Sequence, residues 1–202
     1  QRFNIKKGIS INIKKKLQPG LGLAAGSSNA AVLLDMLDRL WSLGLTKDDK
    51  VLLTMDIGKD IPYFFSSSTA FDIETSHTNI LPDISLSFVI AVPDFSVYTK
   101  AAYNDLDYSQ VNHCSSMTSS MINAIRARQS ISDYLHNDFE HVVFLKHPIL
   151  ADLKEDLKKA GCSNACLSGS GSVVFGLAND SINLDKLQKK YNHFQFIIAC
   201  SQ

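Results

Sequence analysis

The stretch Gln18-Pro19-Gly20-Leu21-Gly22-Leu23-Ala24-Ala25-Gly26-Ser27-Ser28-Asn29 joins an alternating apolar run to an amphipathic one. Its glycines let backbone N–H groups turn toward an anion with no side chain in the way. Ala30, Leu33, Leu34, Leu37, Leu40 and Trp41 then recur at helical spacing, so a helix is expected to open directly after the loop. Ser27, Ser28 and Asn29 are the expected N-cap types. A helix N-terminus adds unpaired N–H groups and the positive end of its dipole. Ser27 and Ser28 also offer hydroxyls to phosphate oxygens or to a bound Mg²⁺. The plainer reading is a glycine-rich turn with a serine cap. No Lys follows the last glycine, so this is not a Walker A loop. Nor does it fit a dinucleotide fingerprint, because the preceding strand and the later acidic residue do not make a βαβ unit.

Upstream, Ile9, Ile11 and Ile13 alternate with polar residues, and this period of two predicts a half-buried strand over residues 8–17. Residues 1–10 hold no apolar signal core, and the chain lacks an initiator Met, so it is expected to start inside a longer protein. Downstream, Thr46 reads as the cap of a second helix with Asp48 and Asp49 in its first turn and an end near Gly58. Residues 68–73 look like a strand. After Pro82 the pattern predicts a strand over 84–92, a helix over 114–128, a helical turn over 131–136 and a helix over 149–160 closed by Gly161. Two short strands, 165–168 and 172–177, flank Gly169-Ser170-Gly171, before a helix over 184–191 and a strand over 194–199. That order matches the split βαβ pattern of a ferredoxin-like layer and sets a boundary near residue 80. The fold class is α+β.

Hydrophobic residues make up 45% of the 202, enough for a packed core. Twenty basic and twenty acidic residues cancel, which argues against a general nucleic-acid binder or a membrane-surface protein. No apolar run approaches the ~18 residues of a membrane span. Cys114, Cys162, Cys166 and Cys200 are too sparse for a disulfide scaffold and lack the partners of a metal site, so they read as reduced, partly buried thiols of a cytosolic protein.

Two further segments carry chemistry. In Gly58-Lys-Asp60-Ile-Pro62-Tyr-Phe-Phe65 a carboxylate precedes a proline that fixes φ and holds Ile61 extended. Such an Asp could take a proton from a hydroxyl attacking a phosphate, or simply cap the turn. In Leu167-Ser-Gly169-Ser-Gly171-Ser172 the glycines permit close approach to another loop or a ligand, or make a plain hairpin turn.

Taken in order, these segments resemble the GHMP kinases. The family's ATP loop, P-x-G-x-G-L-G-G-G-S-S-[DN]-A-A, is similar to Gly20–Ala31, and its G-x-D-[VI]-P-F-F segment to Gly58–Phe65. Its N-D-L-E element resembles Asn137-Asp-Phe-Glu140, its S-G-S-G-[SA]-x-x-F-G resembles Ser168–Gly176, and its Pro-x₃-Val-x-Thr resembles Pro93–Thr99. The resemblance implies a two-domain fold, with a partial N-terminal ATP-binding domain over 1–80 and a ferredoxin-like C-terminal domain over 81–202. It implies a cytoplasmic enzyme that uses ATP and Mg²⁺ to phosphorylate the 2-hydroxyl of 4-diphosphocytidyl-2-C-methylerythritol, with neither nucleic acid nor membrane as partner and no protein ligand assigned to a metal. Gln18 to Ser28 would cradle the nucleotide phosphates, Asp60 would orient or deprotonate the acceptor hydroxyl, and Thr99, Gly169 and Gly171 would line the substrate side.

Departures from the family pattern are specific. Ala24 and Ala25 replace two loop glycines, and Pro19 stands one place late, with Gln18 in the usual proline position. Residues 1–17 contain neither the P-A-K-x-N-L segment nor the G-Y-H segment of the family. Two other readings follow: a different GHMP kinase acting on homoserine or mevalonate, or a non-catalytic homologue that binds nucleotide or a partner.

Overall fold

A computed structural model describes residues 3, 5, 6, 8–65, 70–71, 79–109, 111, 115–179 and 182–201. The chain forms two compact units, residues 1–18 with 24–81, and residues 19–23 with 82–202.

The first unit is built on α1 (Ala25–Trp41) and α2 (Lys47–Thr54), followed by a 3₁₀ turn at Pro62–Phe65. A two-residue antiparallel ladder pairs β1 (Ala70–Phe71) with β2 (Asn79–Ile80). α2 starts as its sequence dictates. Thr46 Oγ1 accepts from the Asp49 N–H at 3.1 Å and Asp49 Oδ2 accepts from the Thr46 N–H at 3.0 Å, a reciprocal capping box. The Lys50 ammonium donates to Asp35 at 2.8 Å and pairs with Asp38 at 2.9 Å, tying α2 to α1.

Two expectations change here, and a third lies largely outside the described residues. α1 opens at Ala25, ahead of the expected serine and asparagine caps. Its N-cap is Ala24, held in the left-handed region at φ 47, with no side-chain cap. The loop's own turn starts the helix: the Ser28 N–H already donates to the Ala24 carbonyl at 3.0 Å. Residues 8–15 form no strand, and Ile9, Ile11 and Ile13 are 41%, 50% and 53% exposed. A strand exists only where a neighbour completes its ladder, and no described residue pairs with this segment. Of the strand expected over 68–73, only 70 and 71 lie within the described residues.

The second unit holds a four-stranded antiparallel sheet in the order β4-β5-β3-β6, from β3 (Ser87–Val92), β4 (Cys162–Leu167), β5 (Val174–Ala178) and β6 (Gln195–Cys200). In the central strand Val89 faces Gly176 on one side and Ile198 on the other. The order is that of the ferredoxin-like layer read from the sequence. Its helices are α3 (Thr99–Asp105), α4 (Ser115–Arg126), α5 (Glu140–Lys146), α6 (Pro148–Lys159) and α7 (Asp185–Lys190). α6 buries Leu150, Leu153 and Leu157 completely. These join Val89, Ala91, Ala165, Leu167, Val174, Leu187 and Tyr191 in one core. The sequence reading contained neither α3 nor α5. Each is seven residues, under two turns, too short to show a helical period. Among the described residues no helix is long and apolar enough to cross a membrane.

Candidate active site

The glycine loop divides between the two units. Its first part, Pro19–Leu23, belongs to the sheet unit. There the Gly20 carbonyl accepts from the Val97 N–H at 3.1 Å and the Leu21 carbonyl from the Val173 N–H at 3.2 Å. The Gly22 carbonyl accepts from Ser168 Oγ at 2.9 Å. Leu21 is buried. Gly22 sits at φ +77, and a Cβ on it would fall 1.8 Å from the Ser168 carbonyl oxygen, so only glycine permits this approach. In a trans peptide the N–H of one residue points opposite to the C=O of the residue before it. With three carbonyls held by the sheet unit, the N–H groups of Leu21, Gly22 and Leu23 point away from those partners. These peptides are trans.

The turn that receives the loop is itself braced. The Ser168 N–H donates to the Val173 carbonyl at 2.8 Å, and the Gly171 N–H to the Ser168 carbonyl at 2.9 Å. Thr99 Oγ1 and Ser170 Oγ share a hydrogen bond of 2.9 Å, and Ser172 Oγ donates to the Phe95 carbonyl. Asn137 Nδ2 donates to the Leu167 and Gly169 carbonyls, both at 2.8 Å. Glu140 Oε1 accepts from the Leu167 N–H at 2.9 Å, and Glu140 Oε2 pairs with Lys154 at 2.5 Å. Thr99, Gly169 and Gly171 are thus brought together with Pro19–Leu23. The residues that do the bracing, Ser168, Asn137 and Glu140, received no role from the sequence. Their signal was present in the Asn137–Glu140 and Ser168–Gly176 segments, but pairing partners 27 to 32 residues apart are not readable from spacing.

Gln18, Ala24–Ser28 and Asp60 belong to the first unit. Ala25, Gly26 and Ser27 form the first turn of α1, where no side chain caps the N–H groups. Gly26 is exposed, and a Cβ there would meet nothing within 4 Å. Asp60 lies in a turn closed by the Ile61 N–H donating to the Gly58 carbonyl at 3.1 Å. Ile61 and Pro62 are buried and anchor that turn, while Asp60 is exposed. Its carboxylate has no hydrogen-bond partner among the described residues, so it does not cap the turn.

Cys162 and Cys166 are buried free thiols and Cys200 an exposed one, whereas Cys114 lies outside the described residues. Burial pushes Cys162 up to about 11. Burial, reinforced by the Glu140 carboxylate, pushes Cys166 up to about 12. Among the described residues no group of three or more His, Cys, Asp or Glu side chains could hold a metal ion.

The chain is 34% identical over 193 residues to a 4-diphosphocytidyl-2-C-methyl-D-erythritol kinase of Bacillus anthracis, covering 93% of this chain and 65% of that protein. A protein of the same name from Shouchella clausii (strain KSM-K16) is 33% identical, covering 93% and 64%. The chain thus spans about 65% of the length of the curated relatives it matches. In fold it is similar to a crystal structure of 4-(cytidine 5'-diphospho)-2C-methyl-D-erythritol kinase, with TM-score 0.73, 21% identity and coverage of 94% of this chain and 69% of that one. It is also similar to homoserine kinase from Cytophaga hutchinsonii ATCC 33406, with TM-score 0.72, 16% identity and coverage of 93% and 68%. The family profile for the GHMP kinases N terminal domain matches residues 1–68, and that for GHMP kinases C terminal matches residues 121–195. With both halves matched in order over most of its length, the chain belongs to the GHMP kinases.

Proposed function

We propose that the protein transfers the γ-phosphoryl group of ATP to the 2-hydroxyl of 4-diphosphocytidyl-2-C-methyl-D-erythritol. The observation that carries the reading is the phosphate loop. Three successive carbonyls are tied down, their following N–H groups are turned the other way, and the helix that continues the loop starts without a side-chain cap. Such a segment offers a polyanion several N–H donors and the positive end of a helix dipole. The named relatives supply the acceptor. Neighbours in fold include kinases of homoserine and mevalonate, so fold alone does not select the alcohol, whereas the relatives at 33–34% identity carry one substrate name.

In this reading Gln18 to Ser28 holds the triphosphate, within an ATP-binding part over residues 1–80 that precedes a ferredoxin-like part over 81–202. Asp60 takes the proton of the attacking hydroxyl or holds it in line. The new O–P bond forms as the bond between the γ-phosphorus and the β–γ bridging oxygen breaks, and ADP leaves. Catalysis of this kind is mostly positioning and electrostatics. Mg²⁺ is bound largely through phosphates, one or two protein oxygens and water. The Ser27 and Ser28 hydroxyls are hard oxygen donors of that type and fit it, and the ion would neutralise phosphate charge. Thr99, Gly169 and Gly171 stand on the acceptor side, and a cytoplasmic location belongs to the same proposal.

The test is an assay of the full-length protein with ATP, Mg²⁺ and a panel of alcohols, with products read by phosphorus NMR. A phosphomonoester at the 2-position of the cytidylyl methylerythritol, and none from homoserine or mevalonate, is the expected result. Protein that binds ATP yet phosphorylates either of the other alcohols faster would overturn the choice of substrate.

A further inference from the structure

The Asn137–Glu140 segment makes contacts that hairpin chemistry does not require. Asn137 Oδ1 accepts from the Phe139 N–H at 3.0 Å, which starts α5, while its Nδ2 spans two carbonyls on either side of Ser168. The amide orientation follows from these three bonds, with one acceptor facing a donor and one donor facing two acceptors. Glu140 holds the N–H of the same Leu167, so that residue is gripped at both its N–H and its carbonyl. Ser168, between the gripped residues, donates to the Gly22 carbonyl. Gly169 and Gly171, the next residues of the turn with positive φ, give it freedom to bend unless something outside the turn holds it.

We infer that Asn137, supported by Glu140, is a positioning residue for the ATP loop: its amide fixes the Leu167–Gly169 turn so that Ser168 keeps the Gly22 carbonyl turned away from the nucleotide. The inference rests on the reading that this loop binds ATP. Asn137 touches no reacting group. It acts through Ser168, and its effect falls on nucleotide affinity before it falls on the chemical step.

Asn137→Asp isolates the contact. It keeps size and the oxygen that accepts from Phe139, removes both donations, and sets a carboxylate oxygen against two carbonyls. In the full-length protein it raises the ATP Kd by about tenfold, the scale of one to two lost hydrogen bonds. Ser168→Ala, which cuts the next link, gives an increase of similar size. The double variant falls well short of the product of the two, because both changes break one chain of contacts. A purely electrostatic effect of the new carboxylate on ATP would instead multiply fully with Ser168→Ala. Protonation restores one donor, so the ratio of variant to wild-type Kd narrows between pH 8 and about pH 5, near the range where a carboxylate regains its proton. Melting temperatures, read alongside, separate a structural role. Lower stability with a wild-type Kd in Asn137→Asp overturns the inference, as does full multiplicativity in the double variant. Wild-type protein that binds no ATP removes the functional reading itself, a different outcome from variants that match a wild type which does bind.

Discussion

Gly22, in the glycine loop, and Gly26, in the first turn of α1, stand four residues apart and differ in what a side chain would cost the fold. At Gly22 the backbone is left-handed and a Cβ would overlap the Ser168 carbonyl, so Gly22→Ala must displace the loop from its brace. We expect a lower melting temperature together with an ATP Kd raised more than about tenfold, on the order of 1.4 kcal/mol. At Gly26 no protein atom obstructs a side chain, so Gly26→Val keeps its folded stability to within about 1 kcal/mol and loses ATP affinity by about tenfold. Unchanged nucleotide affinity in a folded Gly26→Val protein takes the α1 terminus out of the site. The Asp60 carboxylate has no protein partner among the described residues, so Asp60→Asn removes no structural bond. In the full-length enzyme kcat falls by ~10², the scale of general-base loss, with ATP Kd and melting temperature near wild type. A wild-type kcat ends the catalytic assignment.

Among the elements, α6 carries the core of the second unit. Leu150, Leu153 and Leu157 lie on one stripe and are wholly buried. Leu153→Ala removes a packed side chain from beneath the sheet and costs about 3 kcal/mol in urea unfolding, the middle of the range for buried leucines. A cost under about 1 kcal/mol, below the transfer free energy of the removed methylenes alone, would contradict the burial of Leu153. Long periodic elements of this kind were legible in the sequence, as were the Thr46 cap and the strands around Gly169–Gly171. The segment 8–17 shows the opposite. Its alternation is a strand pattern, yet alternation states only which side chains share a face, and a ladder also needs a neighbour. α3 and α5 failed for want of length, and α1 began early because a left-handed Ala24, not a side-chain cap, turned the chain into the helix.

Across the whole molecule, burial sets the alkaline limit of stability. Cys162 stands at about 11, Cys166 at about 12 and Tyr191 at about 12, all raised first by burial from ordinary values of 9.0, 9.0 and 10.0. An acid whose folded pKa is raised keeps its full contribution below the unfolded value and loses it as pH climbs through the folded one. Unfolding free energy therefore declines from about pH 9 upward, toward pH 11 to 12, and a level profile across that range would contradict the burial of these groups. Asp38 and Asp156 act at the other end. Lys50 lowers the first and Lys190 the second, so their contribution is present above about pH 4 and lost as pH falls below it. The same burial predicts that a thiol reagent at pH 8 labels Cys200 well before Cys162 and Cys166, as peptide mapping would read.

The sequence by itself determined the ferredoxin-like succession of strands and helices along the chain, the glycine loop ahead of a helix, and the segments that resemble a GHMP kinase. These are local in chain distance, so period, cap and motif carry them. Only the tertiary structure decided where that loop is held. Gly22 lies 146 residues from Ser168, and Asn137 lies 32 from Gly169. Hydrogen bonds over such separations depend on how strands and turns pack, and no residue spacing encodes them. The same packing decided which glycine is obligatory. Gly22 and Gly26 look alike as letters, and differ because one backbone passes under the Ser168 carbonyl while the other faces open space.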